Sequence, residues 1–181
     1  FMVVATQNPI EMEGTYPLPE AQRDRFTARL SMGYPAATAE YEMLDSHGSR
    51  DPLDDLVAVA DGAEVARAIE LVRTVYVAAD VRRYTVDLIG DTRNSPELRL
   101  GASPRASLHL MRAARAAAAL DDRDYVLPDD IRALTQHVLA HRLIPTPEAQ
   151  ISRRTASDIL SDVVARVPVP SPAARRRSAT F

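Results

Sequence analysis

The chain begins with a continuously apolar run that ends in an amide and a proline, VVATQNPIE at residues 3–11. Such a run, without polar alternation, is typical of a parallel strand that is covered on both faces. Because proline cannot donate to a strand ladder, we expect a strand at residues 1–6, with Asn8 beyond its carboxyl end. Ligands gather at that end of the strands in open α/β sheets. Asn8 is therefore a candidate for contacting a phosphate oxygen and a water together, although an asparagine that only caps its own strand would show the same pattern.

A covered parallel strand needs neighbours on both edges, and the rest of the chain offers few candidates. The chain also starts at Phe1, inside the predicted strand, so we expect it to be cut from a longer protein. All 22 basic residues are arginine. A phosphate-binding loop of the type G-x-x-x-x-G-K-[ST] needs its lysine, so this chain contains none. If the protein handles a nucleotide, we expect the phosphate cradle to lie upstream of Phe1.

Breakers and capping residues divide the chain into a short α/β part and a longer helical part. In the first part, the pattern predicts a helix at 19–25, a second strand at 28–32, a helix at 36–46 and a boundary at 47–52. The pattern from Gly62 onward is helical, and the predicted helix starts are Asp80, Ser103 with Pro104, Pro128 and Thr155. The sequence therefore predicts a predominantly helical chain, an α/β remnant followed by a bundle of four or five helices.

Two arginines lie where a guanidinium could meet a phosphate. Arg25 follows Asp24 on the short predicted helix, and its planar fork of donors suits phosphate oxygens. Offered to the nucleotide of a neighbouring subunit, it would neutralise charge that develops in phosphoryl transfer. Arg105 is the second residue of a predicted helix, where the helix N-terminus and a guanidinium together form an anion site. Taken alone, Arg25 is better explained as a surface arginine paired weakly with Asp24, and Arg105 is also explained as a solvated arginine beside a helix cap.

Three separated sets of residues resemble the MoxR family of AAA+ ATPases. They are ATQNPIE (5–11), EGTYPLPEAQ (13–22) and DRF (24–26), then GASPRA (101–106), then DYV (124–126), PDD (128–130) and HRL (141–143). The resemblance extends to about Pro170. It implies the C-terminal part of a P-loop AAA+ core at 1–50, a linker at 51–62 and an all-α helical lid at 63–167. The Pro, Ser, Ala and Arg composition after Val167 predicts a disordered tail at 168–181.

The resemblance also implies roles for single residues. Asn8 would be the sensor 1 residue that positions the lytic water, and Arg25 the arginine finger that reaches the ATP of the adjacent subunit. Arg105 would be the sensor 2 arginine, and Asp24 would orient the finger. Arg23 stands where the family has leucine, so Arg23 could compete with Arg25 as the finger.

For the complete protein, the resemblance implies an ATPase that couples hydrolysis to remodelling or maturation of client proteins, von Willebrand factor A domain proteins among them. It implies ATP and Mg, both held mainly by upstream Walker residues, and self-association into a ring, with a hexamer expected. The isolated chain is then expected to be inactive. A different class of function fits the missing phosphate loop, namely a non-catalytic interaction module from a split or truncated gene.

Composition excludes several other classes. The chain has no cysteine, which excludes disulfides and thiolate metal sites and agrees with a cytoplasmic protein. The net charge of −3 argues against a nucleic-acid partner, and thus against a DNA motor. No stretch approaches the roughly 20 apolar residues that cross a membrane. His137 and His141 have a spacing that can bind metal, but no third ligand stands near them in the sequence, so we predict no metal site.

Overall fold

Helices dominate the structure, a computed structural model that describes residues 2–7, 18–46 and 52–170. The helices are α1 (Glu20–Arg23), α2 (Ala37–Ser46), α3 (Gly62–Thr74), α4 (Ala79–Asn94), α5 (Pro104–Leu120), α6 (Pro128–Leu139), α7 (Pro147–Ile151) and α8 (Ala156–Arg166). Two short strands are β1 (Leu98–Leu100) and β2 (Ile144–Pro145), and 3₁₀ turns span Pro52–Asp55 and Ala140–Arg142. The predicted fold class, a predominantly helical chain with a helical lid, is confirmed.

The bundle is centred on α5, which packs against α3, α4 and α6. One face of α5 carries the fully buried residues Ala106, Leu110, Ala114 and Ala118 at four-residue spacing. Alanine is the best helix former, and its small side chain lets neighbouring helices approach closely. The opposite walls of the core come from α4, α6 and α8, with Leu88, Leu139 and Leu160 fully buried.

Side chains at the N-cap position cap the starts of α3, α7 and α8. Asp61 accepts a hydrogen bond from the backbone of Glu64, whose carboxylate accepts one from the backbone of Asp61, and α3 begins there. Thr155 and Asp158 form the same reciprocal arrangement before α8. α4 differs from its prediction. It begins at Ala79, and Asp80 lies in its first turn instead of capping it.

Two long-range backbone pairings close the bundle, and the sequence pattern predicts neither. Antiparallel pairing joins β1 to β2, with Leu98 opposite Pro145. A parallel bridge joins Tyr76 to Tyr125, with the Tyr76 amide donating to the Asp124 carbonyl at 2.7 Å. These segments are too short to show a period of two, so pairing partners decide their structure.

The α/β part departs from the prediction at both of its strands. Residues 2–7 and 28–32 form no strand in the structure, since no other segment that the structure describes pairs with either of them. α2 agrees with the predicted helix at 36–46, whereas α1 is shorter than its prediction at 19–25. Asn8, most of the predicted boundary at 47–52 and the tail beyond Pro170 lie outside the described residues.

In the ranges that the structure covers, no helix combines the length and the apolar character that a bilayer crossing requires.

Candidate functional site

The loop after α1 meets the start of α5 at a cluster that we call the Asp24 junction, formed by Asp24, Ser103, Arg105 and Arg142. The Ser103 hydroxyl donates to both oxygens of the Asp24 carboxylate, at 2.9 and 3.0 Å. Arg105 reaches Asp24 Oδ2 with Nη1 at 3.5 Å. Arg142 donates from Nη1 to Asp24 Oδ1 at 2.7 Å. A single carboxylate therefore joins the α1 loop to α5 and to the turn after α6.

Arg142 is the buried member of the junction, with only 1% of its side chain exposed. Its Nε donates to the Val138 carbonyl at 2.7 Å, and its Nη1 donates to the Asp24 carbonyl at 2.7 Å as well as to the carboxylate. Its Nη2 lies within hydrogen-bond distance of the Phe26 carbonyl and of His109 Nδ1. A buried guanidinium is tolerated when its donors are bonded and a carboxylate balances its charge, and both conditions hold here.

Ser103 occupies the N-cap position of α5 as the sequence predicts, but its hydroxyl does not cap the helix. Among the described residues, no first-turn N–H donates to the Ser103 hydroxyl, which donates to Asp24 instead. Pro104 stands at the first helical position, where the missing N–H costs nothing. The serine of this motif thus links two parts of the chain and does not serve its own helix.

The start of α5 is held in place by the end of α4. The Ala102 amide donates to the buried Thr92 hydroxyl at 3.0 Å, and the Ala102 carbonyl accepts from Arg93 Nε at 2.8 Å. Gly101 permits this approach, since a Cβ at that position would lie 2.7 Å from the Arg93 backbone. Three residues of GASPRA therefore have different roles. Gly101 allows the close approach to α4, Ser103 bonds to Asp24, and Arg105 presents a half-exposed guanidinium.

Arg25 is exposed, and within the described part of the chain its side chain has no hydrogen bond or ion pair. Arg23 is half-buried, and its Nε is buried without a partner among the described residues. The exposed guanidinium of Arg25 is thus available to a ligand or a neighbouring molecule, whereas that of Arg23 is partly enclosed. Asn8 lies outside the described residues, so its position relative to the junction stays a prediction.

Further contacts attach the segment around α1 to the bundle. Arg99 on β1 pairs with Glu20 at 2.9 Å, and the Arg29 amide donates to the His137 carbonyl at 2.9 Å. His141 Nε2 lies 3.3 Å from the Phe26 carbonyl and must donate to it, because a carbonyl only accepts. The two histidines that were considered as metal ligands therefore contact the α1 segment, His137 through its backbone. Among the residues described, no three metal-ligating side chains come together.

Burial and positive neighbours lower the pKa of His109 and of His141. Burial, followed by the charges of Arg142 and Arg112, lowers the pKa of His109 below its ordinary value of 6.5. Because Arg142 can only donate, His109 Nδ1 must be the unprotonated acceptor of their 2.8 Å contact. Burial and then Arg142 likewise lower the pKa of His141. Burial lowers the pKa of Arg142 itself, and the hydrogen bond and charge of Asp24 oppose that change.

Sequence reasoning identified Asp24 and Arg105 but missed Arg142 as a contact of Asp24. The signal was present in HRL at 141–143, which carries part of the family resemblance. The partners stand 118 residues apart, so spacing along the sequence could not pair them.

Comparison with known proteins adds independent findings. Residues 90–163 match the AAA lid domain, and residues 1–28 match the ATPase family associated with various cellular activities (AAA). The chain is 42% identical to an uncharacterized protein YeaC of Bacillus subtilis, over 94% of this chain and 53% of that protein. It is 36% identical to the chaperone MoxR1 of Mycobacterium tuberculosis, over 94% of this chain and 47% of that protein.

A solved structure of a candidate ATPase from Cytophaga hutchinsonii superposes with a TM-score of 0.83 at 30% identity, over 91% of this chain and 53% of that one. The chain thus spans about half the length of the relatives that it matches. Fold and matches together define a AAA lid joined to the end of a AAA core. The chain belongs to the MoxR family of AAA+ ATPases.

Proposed function

We propose that this chain is the C-terminal part of an ATPase that couples ATP hydrolysis to chaperone-like remodelling or maturation of client proteins. The observation that carries the proposal is the Asp24 junction, where one carboxylate contacts both Ser103 and Arg105 at the start of α5. This carboxylate belongs to the residue that precedes Arg25. The two arginines proposed to act on nucleotide are therefore tied to a common group in one subunit.

In this proposal Arg25 is the arginine finger. Its support is the exposed guanidinium, free of partners in the described ranges, next to a backbone that is held by the junction. An arginine finger needs a fixed backbone and a guanidinium without other partners. It can then neutralise charge on a phosphoryl group bound by the neighbouring subunit. Arg23, with its partly enclosed side chain, fits this task less well.

Arg105 is proposed as the sensor 2 residue, with Asp24 as the group that orients it and the finger. Its guanidinium is half-exposed, and its only hydrogen bond in the described structure is the 3.5 Å contact to Asp24. That bond is long enough to be exchanged for a phosphate oxygen, which is a stronger partner for a guanidinium. Asn8 is proposed as the sensor 1 residue from the sequence alone.

The remaining parts of the proposal concern the complete protein. ATP would be bound with Mg through residues upstream of this chain, while Arg25 and Arg105 supply positive charge for the triphosphate. A site completed by Arg25 of a neighbour requires self-association, for which we propose a ring of six subunits. We further propose a cytoplasmic location and client proteins that include von Willebrand factor A domain proteins.

The test is the full-length protein with Arg25→Ala. Turnover should fall by about 10³–10⁵-fold while ATP affinity changes little, because a finger acts mainly on the transition state. Arg83→Ala removes an exposed arginine of α4 and is the matched control. Arg23→Ala, measured beside it, decides which arginine is the finger. Wild-type turnover in Arg25→Ala would reject the assignment.

Action across subunits has its own experiment. Arg25→Ala protein is mixed with a variant that lacks the lysine of its phosphate loop, each inactive alone. A shared site predicts that mixed rings recover part of the turnover, since some sites then contain an intact finger and an intact cradle. Mixed rings that form without any recovery would contradict a finger supplied by the neighbour.

A further inference from the structure

We propose that Arg142 is a positioning residue that fixes the backbone on both sides of Arg25 to the lid, so that the finger and the start of α5 move together. The inference rests on the proposed role of Arg25 and extends it to a buried residue. Arg142 touches no substrate in this proposal. It acts through the loop that it holds.

The donors of Arg142 are fully used. A guanidinium has five N–H groups. One, on Nε, is taken by the Val138 carbonyl, and the two on Nη1 are taken by the Asp24 carbonyl and carboxylate. The two on Nη2 are taken by the Phe26 carbonyl and His109 Nδ1, with the Thr27 carbonyl further away at 3.4 Å. Every donor therefore has an acceptor, and the geometry of the fork is fixed.

The acceptors bracket Arg25 along the chain. The carbonyl of Asp24 precedes it, and the carbonyl of Phe26 follows it. The backbone of Arg25 is thus held on both sides by one side chain from the lid, while its own guanidinium is exposed. Lysine could not replace this anchor, because an ammonium presents three donors on one atom and lacks the planar fork.

The Asp24 carboxylate connects the anchor to α5. Its Oδ1 receives Arg142 at 2.7 Å, and its Oδ2 receives Arg105 at 3.5 Å and Ser103 at 3.0 Å. A displacement of the first turn of α5 therefore acts on the same carboxylate that Arg142 holds. If Arg105 responds to the nucleotide of its own subunit, the response reaches the finger that faces the next subunit. The shared carboxylate supplies a physical route for that coupling, which double-mutant measurements can test.

The first experiment measures anchoring in the full-length protein by amide hydrogen exchange. The amides of Arg25, Phe26 and Arg29 are hydrogen-bonded, so they report on the loop. Arg142→Lys should speed their exchange and leave the amides of α8 unchanged. The matched control is Arg166→Lys, which weakens an exposed pair with Asp91 of α4 and makes no contact with Asp24 or Arg142. Unchanged exchange at the three loop amides would overturn the proposal.

The second experiment separates positioning from a merely structural role. Arg142→Lys should lower turnover by about 10²-fold with little change in ATP affinity, which is the size of effect that a misplaced catalytic group produces. In the Arg25→Ala background, the same substitution should cause no further loss, because the finger is already gone. Losses that multiply would show that Arg142 acts without Arg25 and would overturn the proposal.

A variant that keeps the buried arginine tests the same coupling from the side of its partner, and unchanged exchange at the amides of α8 shows that its lid is folded. Asp24→Asn retains the backbone carbonyl contacts of Arg142 but removes the charge shared with Arg105. It should lower turnover in the wild-type background and have no further effect in Arg25→Ala, and additive losses here would count equally against the proposal. If Arg25→Ala alone keeps wild-type turnover, the proposed function of Arg25 fails and the kinetic coupling fails with it. The hydrogen-exchange rates of the loop amides would then still test, independently of turnover, whether Arg142 anchors the loop.

Discussion

Residues 75–167 and residues 18–46 are held in place by different kinds of interaction. Every buried side chain that the structure describes lies between Val75 and Val167, and residues 18–46 contribute none. The lid has its own apolar core, whereas the α1 segment is attached through hydrogen bonds and ion pairs, most of them on Arg142 and Asp24. Apolar burial is non-directional, but a hydrogen-bonded fork fixes distance and angle. The part proposed to reach a nucleotide is thus the part positioned by directional contacts.

The largest expected contrast in stability comes from truncating a leucine in each region. Leu88→Ala removes a fully buried side chain of α4 and should lower the free energy of unfolding by about 2–5 kcal/mol. Leu44→Ala removes a side chain of α2 that is 70% exposed, and the change should stay within about 0.5 kcal/mol. Urea unfolding of the 181-residue polypeptide, followed by circular dichroism, measures both. Similar losses for the two variants would break the comparison.

Alanine substitutions at two glycines should change stability by intermediate amounts and in opposite directions. Gly101→Ala places a Cβ 2.7 Å from the backbone of α4 and should destabilise the lid by about 1–3 kcal/mol while shifting the start of α5. Gly90→Ala lies within α4 with nothing near the new methyl group, so it should stabilise by about 0.5–1 kcal/mol. The midpoints of urea unfolding rank the two variants against wild type. A neutral Gly101→Ala would mean that the close approach between α4 and the GASPRA loop is not needed.

The smallest expected effect is on the pH dependence of stability, and it tests the contact between His109 and Arg142 at the junction. The folded pKa of His109 lies below 6.5, so below that pH the unfolded chain binds more protons than the folded one. Stability should therefore fall as pH decreases from about 6.5 toward the folded pKa. The groups that face His109 are Arg142, Arg112 and Arg105, with Asp24 acting in the opposite direction.

The matching variant is His109→Asn, whose amide oxygen can still accept from Arg142. Thermal midpoints measured between about pH 7.5 and 5.5 should fall less steeply in His109→Asn than in wild type. Direct titration of His109 by nuclear magnetic resonance checks the sign. A titration midpoint above 6.5 would contradict the neutral acceptor role.

Local chemistry made the helices of the lid predictable. The starts of α5, α6 and α8 were predicted within one residue from Ser103 with Pro104, from Pro128 and from Thr155. Prolines at the first helical position and residues at the N-cap position are local sequence signals. The two predicted strands were wrong for the residues that the structure describes. A strand forms only when another segment pairs with it, and the residues of the strand itself do not identify that segment. The pairing of β1 with β2 was missed for the same reason.

The candidate site was predictable in its residue types but not in its connections. Asp24 and Arg105 were selected from motifs, and the structure places them in contact at 3.5 Å. The two features that sequence alone did not supply were the engagement of Ser103 by Asp24 and the burial of Arg142 behind the loop. Both are tertiary contacts whose energy depends on desolvation, which no local pattern encodes.

The order of the partners along the chain has a consequence for biosynthesis. A ribosome delivers Asp24 118 residues before Arg142, at a rate of about 5–20 residues per second. For those seconds the backbone of the nascent α1 loop lacks its anchor Arg142, and the anchor is available only once α6 and the turn that follows it have emerged. The arginine next to it is therefore positioned only after α3 to α6 of the lid have been synthesised.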